Sequence, residues 1–305
     1  MEKVRTGLWR LTRGRKYRRG VFQLAVYSLL LIFGFVFIYP VVYLILRSFM
    51  PRDDFFNPLV AFVPSAFTLD NFHLLLSKFS YSRALGFTVF LCGVCSALQV
   101  LSCGLMGYGL SRYAFRLKNV FIALVGACFV IPSQVLMIPT YIQYSHYGLL
   151  GSTATFFLPA ALAQGLRSPI FILIFYSFFN TIPKGLDEAA QIDGASPLLA
   201  FFKIVLPLSV PAVVLTVIFS TVWYWNETYL VQLYLGAGSK TVISQIAAAL
   251  GALGEDAIRN PMEVVMNVPI KMAAMLLIIL PLILFYIFLQ RQFVESIERS
   301  GITGE

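Results

Sequence analysis

Two groups of residues stand out for the chemistry that their types and spacing allow. The first is an acidic, small-residue run with a glycine in its middle: Asp187, Glu188, Ala189, Ala190, Asp193, Gly194 and Ala195, within "LDEAAQIDGASPLLAFFKIVLPLSVP" at 186–211. Carboxylates beside alanines offer a surface that a partner with a basic rim can approach closely. The second group is a set of amides, charges and an indole inside or at the ends of apolar runs: Gln134, Gln164, Arg167, Trp225, Asn226 and Glu227. Such side chains are costly in hydrocarbon, about 2.5–3.5 kcal/mol for a central arginine, so they face a cavity or a partner. Neither group is a catalytic constellation. His73 and His146 stand alone, and the chain has no HExxH, GxSxG or acidic cluster. Cys92 and Cys95 form a CxxC without an accompanying His or second Cys pair, so small packing residues are the expectation for them and for Cys103 and Cys128. No catalytic and no metal-binding residue is expected.

The elements that position these residues follow from bulk composition. The 305 residues are 59% hydrophobic and 12% charged with mean hydropathy +0.81, which does not fit a water-soluble surface. Crossing a hydrocarbon core of about 30 Å takes about 20 apolar residues as a helix, because only internal pairing satisfies the backbone in lipid. Six stretches qualify: Val21–Leu46, Leu85–Leu110, Val120–Gln143, Thr153–Asn180, Leu208–Leu230 and Val268–Gln290. The expected fold class is therefore all-α, a polytopic membrane protein. It divides into a basic N-terminus (1–20), a six-helix domain (21–290) and a C-terminal tail (291–305).

Lys and Arg near span ends are retained in the cytoplasm, which sets the orientation. With the N-terminus inside, 15 basic residues lie on the cytoplasmic side and seven outside, with Arg167 within a span. Both termini are then cytoplasmic. The net charge of +9 comes mostly from the first 20 residues and reads as an orienting, lipid-headgroup feature rather than a nucleic-acid site. The opening looks like a signal-peptide n-region, but the apolar run after it is about twice as long as an h-region and lacks a small-residue cleavage site.

On that topology residues 183–207 lie on the cytoplasmic face. Pro183 is expected in the first turn of a helix, with Asp187 and Glu188 near its positive end. Gly194 ends that helix by allowing a left-handed backbone. Ser196 and Pro197 then read as N-cap and first-turn residue of a second helix, "LLAFFKIVLPL", continuing into the fifth span. Leu198, Phe201, Phe202 and Val205 are spaced for one or two apolar faces. An interfacial helix on lipid would carry Lys and Arg on its polar face, whereas this one leads with acids, which suits a protein partner better.

At these residues a resemblance appears. "EAAQIDGASPLLAFFKIVLPLSVP" resembles the EAA loop of binding-protein-dependent ABC importer permeases, through Glu188, Ala189, Ala190, Asp193, Gly194, Ala195, Phe201, Ile204, Leu206, Pro207 and Pro211. The likeness extends over nearly the whole chain and is similar to the carbohydrate-type branch at "SF" (48–49), "TLDNF" (68–72), "GYGLSRYAFRLKN" (107–119), "IPSQVLMIPTY" (131–141), "WNE" (225–227) and "LQRQFVESIERSGITG" (289–304). Ser296 and Thr303 depart from it, standing where many relatives have Gly and Lys. The resemblance implies a permease fold with six spans and a cytoplasmic coupling helix in the prokaryotic cytoplasmic membrane. It also implies a second, similar permease, two ATPase subunits that each receive one EAA loop, and an extracellular solute-binding protein. Asp187, Glu188, Ala189, Ala190, Asp193, Gly194, Ala195, Phe201 and Pro207 would form the coupling element, with Glu188 as the charge contact and Gly194 setting the angle. The chain lacks GxxxxGK[ST], so ATP and Mg²⁺ would be held by the ATPase and no cofactor by this chain.

Gln134, Gln164, Arg167, Trp225, Asn226 and Glu227 are then candidates for the substrate path. Gly165 and Pro169 permit an irregular helix around Arg167, as at transporter sites. Arg167 bonded to carbonyls or to the companion permease is the competing reading, and an interfacial belt is the competing use of Trp223 and Trp225. A carbohydrate, with an oligosaccharide foremost, is the expected solute, and a glycerol phosphodiester or other non-sugar solute the alternative. An ion-coupled carrier would need inverted repeats that the sequence does not show.

Overall fold

A computed structural model describes residues 2–51, 53–57, 60, 62–236, 238–258 and 268–302. Every regular element among them is helical. The chain divides into two compact units, one of Met1–Leu75 with Gly254–Leu276 and one of Leu76–Leu253 with Leu277–Glu305.

In the first unit α1 (Glu2–Ser48) is continuous, and its apolar part is almost wholly exposed from Val21 to Val42, with burial beginning only in its last turns. Its last carbonyls, orphaned as at any helix end, find a partner in α2 (Asp70–Leu76). The buried Asn71 amide donates to Ser48 O at 3.0 Å and Met50 O at 2.9 Å. Phe49 packs on Phe72, and Thr68 N donates to Phe49 O at 2.9 Å. The segments "SF" and "TLDNF" are thus two halves of one helix terminus.

The second unit is built around α3 (Tyr81–Arg112), which touches α6 (Ala154–Ala161), α7 (Ser168–Thr181) and α11 (Val210–Asn226). Lipid supplies no hydrophobic drive between helices, so close backbone approach at small residues does the joining. Gly107 shows it: a Cβ there would sit 2.7 Å from Phe175 Cβ and 3.0 Å from the Tyr176 nitrogen. Phe171, Phe175 and Phe179, four residues apart on one face of α7, are fully buried in the same core. A second core around Leu91, Cys92, Cys95, Phe156, Tyr224 and Trp225 lies towards the other end of α3. Cys92, Cys95 and Cys103 are free, buried packing residues, whereas Cys128 is exposed.

Among the described residues three helical segments are each long and apolar enough to cross a membrane unbroken: Val21–Ser48, Tyr81–Arg112 and Val268–Gln292. Counting three bent helix pairs (118–130 with 134–146, 168–181 with 185–192, and 197–208 with 210–226) as one span each brings the number to as many as six. Several of the six expected spans contain breaks. Val120–Gln143 is α4 (Lys118–Val130) and α5 (Ser133–His146), bent by 98° between them. Pro132 disfavours helical backbone at the residue before it, and Ile131 is extended. Thr153–Asn180 is α6 and α7 with an irregular link. The segment after Pro197 does not run straight into the fifth span. Here α9 (Pro197–Ala200) passes into a π-helical turn at Phe201–Val205 and α10 (Leu206–Leu208), then bends 82° into α11. Pro207 and Pro211 each lack the N–H that a straight helix would need there.

Beyond α11 come α12 (Tyr229–Leu235) and α13 (Val242–Ile258), the latter covering the helix-compatible "TVISQIAAALGALG". The last helix, α14 (Val268–Ile302), continues through most of the 291–305 tail, and residues 303–305 lie outside the described residues. The side chains of the basic N-terminal block do so too.

Candidate functional site

Between α6 and α7 the backbone leaves the helical path at residues 162–167. Ala163 (φ 57°) and Arg167 (φ 53°) both take left-handed backbone, a conformation that costs non-glycine residues about 1–2 kcal/mol. It persists because neighbours fix it. Gln99, fully buried on α3, donates through its amide to Leu166 O and Ser168 Oγ, both at 2.9 Å. Tyr224 on α11 accepts from Leu166 N at 3.2 Å, and Ser102 donates to Ala160 O at 2.6 Å. In a water-free interior an interrupted helix needs such substitutes for its lost backbone bonds. Gly165 sits where they converge: a Cβ there would lie 2.6 Å from the Tyr224 oxygen, 2.8 Å from Gln99 Nε2 and 3.0 Å from Ala160 Cα.

The break opens onto a cavity of about 380 Å³. Gln134 from the start of α5, Gln164 and Arg167 from the break, and Asn226 and Glu227 from the end of α11 all line it. Five of the six candidates for the substrate path, separated by up to 93 residues in sequence, therefore share one cavity. The sixth does not. Trp225 is buried in the core beside Leu91 and Phe156, and Trp223 faces the cavity instead. Two residues along an α-helix turn a side chain by about 200°, which exchanges the two indoles. The Arg167 guanidinium lies 5.3 Å from the Trp223 ring centroid, a cation–π contact that makes the pair one amphipathic platform. Glu227 accepts from Leu230 N at 2.9 Å and so caps α12, and Asn226 donates to Val222 O at 2.8 Å.

The acidic stretch forms α8 (Gly185–Ile192), bent 79° from α7. Pro183 precedes the helix and its N-cap Lys184, a correction to its expected first-turn place. Gly194 has φ 83°, as its role required. Ala195 N donates to Ala190 O at 2.9 Å and Gly194 N to Gln191 O at 3.0 Å, the paired bonds of a Schellman ending. Ser196 Oγ accepts from Leu199 N at 3.3 Å, an N-cap.

The stretch has two faces. Glu188, Ala189, Asp193 and Gly194 are exposed, together with Pro207 and an unusually bare Ile192 (86% exposed). Asp187, Ala190 and Phe201 turn inward instead. Phe201 is fully buried against Tyr108, with ring centroids 5.3 Å apart, and against Gly104, so it anchors the loop rather than meeting a partner. The Asp187 carboxylate pairs with Arg112 Nε at 2.7 Å and accepts from Tyr108 OH at 3.0 Å. These partners stand in the sequence as polar residues of an apolar helix, Tyr108 and Arg112 within the segment "GYGLSRYAFRLKN", but neither their link to Asp187 nor any role for Gln99 follows from local spacing.

Residues 101–299 match the model of the family described as binding-protein-dependent transport system inner membrane component. The chain belongs to this family. It is a multi-pass permease subunit, not an enzyme, and members of such systems work with a partner permease, an ATPase and a solute-binding protein. The permease is 29% identical over 289 residues to the polygalacturonan/rhamnogalacturonan transport system permease protein YtcP of Bacillus subtilis, covering 93% of this chain and 99% of the relative. It is 30% identical over 288 residues to the arabinooligosaccharides transport system permease protein AraQ of Halalkalibacterium halodurans, covering 92% and 98%. Its fold matches a chain of a bacterial ABC transporter involved in the import of the acidic polysaccharide alginate, with TM-score 0.73 and 20% identity over 90% of this chain and 96% of that one.

Proposed function

We propose that this permease forms, with a second and different permease, the path by which an ATP-driven importer carries an oligosaccharide into the cell. One observation carries the reading: Gln134, Gln164, Arg167, Asn226 and Glu227 converge with Trp223 on a single cavity beside a broken helix. Amides and charges bond hydroxyl groups, an indole supplies an apolar face, and broken helices mark solute sites in membrane transporters. The relatives named for arabinooligosaccharides and for polygalacturonan point to the same solute class. Arg167 forms no ion pair among the described residues, which keeps an anionic non-sugar such as a glycerol phosphodiester as the second reading.

The exposed face of α8, with Glu188, Ala189, Ile192 and Asp193, is the surface offered to an ATPase subunit. One such contact on each permease accounts for two ATPase subunits, and ATP and Mg²⁺ belong to them. The basic N-terminus and the C-terminal tail then lie in the cytoplasm with α8, and the cavity receives its solute from the external binding protein.

The test is purification from mild detergent followed by reconstitution. The permease is expected to bring a second permease and an ATPase with it, and the assembly to take up labelled oligosaccharides only with ATP and a solute-binding protein. Transport by this polypeptide alone would refute the proposal, and selective uptake of a phosphodiester would establish the second reading.

A further inference from the structure

We infer that the Arg112–Asp187 ion pair is the joint through which α8 moves the solute cavity, with α3 as the rod and Gln99 as its second joint. This rests on the reading of α8 as the ATPase contact.

Asp187 is the acid of α8 that points away from the exposed face. Its side chain and that of Arg112 are 8% and 5% exposed, and the pair closes at 2.7 Å. Tyr108 OH donates to the same carboxylate at 3.0 Å. The Arg112 guanidinium also donates to Ile182 O, just past the end of α7, at 3.0 Å. One planar fork therefore gathers α3, α7 and α8. Desolvation offsets much of the attraction in a buried pair, so adhesion alone explains it poorly. Removing one partner, however, strands a buried charge, so the two groups stay together.

The other joint lies thirteen residues earlier, about 20 Å along α3. There Gln99 holds Leu166 O and Ser168 Oγ, the neighbours of Arg167 on either side. Between the joints α3 is uninterrupted helix without proline. A displacement of α8 is carried by α3 to the break bearing Gln164 and Arg167, and so to the cavity wall. Arg112, Asp187 and Gln99 are positioning residues: they touch neither nucleotide nor solute.

The experiment measures solute uptake per ATP hydrolysed in the reconstituted importer, together with ATPase retention on the permease. Asp187→Asn keeps the shape and removes the charge, and Gln99→Leu removes the second joint. Each is expected to lower uptake per ATP about fivefold or more, the lower range of coupling between sites, with ATPase retention unchanged. Because the joints act in series, the double variant is expected to be no worse than the poorer single one. A ratio within twofold of wild type, losses that multiply in the double variant, or loss of the ATPase from Asp187→Asn would each overturn the inference. If Asp187→Asn does not accumulate, Arg112→Lys keeps the charge but loses the fork, and an unchanged ratio for it would be equally decisive. A wild-type assembly that retains no ATPase overturns the reading of α8 itself, which separates the two failures.

Discussion

Gly165→Ala is the smallest change that tests whether the helix break is a packed joint. The glycine has ordinary backbone, so the cost of a methyl group is steric. The methyl would meet the Tyr224 oxygen at 2.6 Å, Gln99 Nε2 at 2.8 Å and Ala160 Cα at 3.0 Å. The first two are side-chain ends and can swing aside, but they hold Leu166 and Ser168, so moving them gives up hydrogen bonds worth about 0.5–1.5 kcal/mol each. The backbone of Ala160 cannot yield in the same way, and overpacking adds about 1–3 kcal/mol. The expected destabilisation is about 2.5–7.5 kcal/mol if all three bonds are lost. It is read as earlier thermal denaturation of the purified permease in mild detergent, with uptake reduced in parallel. The decisive control is Tyr224→Phe, which removes the nearest colliding atom. In that background Gly165→Ala should cost at least about 1 kcal/mol less, since the two sites share one space. Wild-type denaturation of Gly165→Ala, or an equal penalty with and without the tyrosine hydroxyl, would refute the argument that these groups form one clamp.

Two further substitutions address the cavity and the loop separately. Arg167→Ala removes the cation over Trp223 without touching α8, and is expected to raise the solute concentration for half-maximal uptake about tenfold, the loss of about 1.4 kcal/mol of binding, while ATPase co-purification stays normal. Uptake kinetics unchanged at all solute concentrations would remove Arg167 from the path. Glu188→Lys reverses an exposed charge on α8 and is expected to leave the protein in the membrane while ATPase retention in a detergent pull-down falls about tenfold, within the range of interfacial charge contacts. Wild-type retention and transport would exclude Glu188 from the contact.

Much of the loop was legible because its signals are local. Gly194 has to end a helix wherever the rest of the protein lies, and Ser196 with Pro197 starts one by its own geometry. The irregular helix at Gly165 and Pro169 was readable for the same reason, as was the grouping of Gln164 with Arg167. What local reasoning missed was direction. Trp225 and Trp223 have the same residue type in the same run, and only the packing of α11 on α3 and α6 decides which one faces the cavity. Asp187 and Glu188 look equivalent in sequence, yet one is buried against Arg112 and the other is exposed. The expected spans are bent at Pro132 and at Pro207 with Pro211, where a missing N–H allows a bend whose angle depends on what the helix meets.

The sequence by itself determined that the chain is helical and membrane-spanning, where its helices begin and end at caps and glycines, and that an acidic glycine-ended helix interrupts the apolar runs. Those follow from backbone hydrogen bonding and residue composition within a few turns. Only the tertiary structure decided which side of each helix is the inside, because spans that are apolar all round carry no periodic signal of orientation. It also decided the pairings that hold the site, such as Gln99 with Leu166, 67 residues apart, and Tyr108 with Asp187, 79 apart. A buried polar group must find a partner, but chain separation leaves that partner open until the helices have packed.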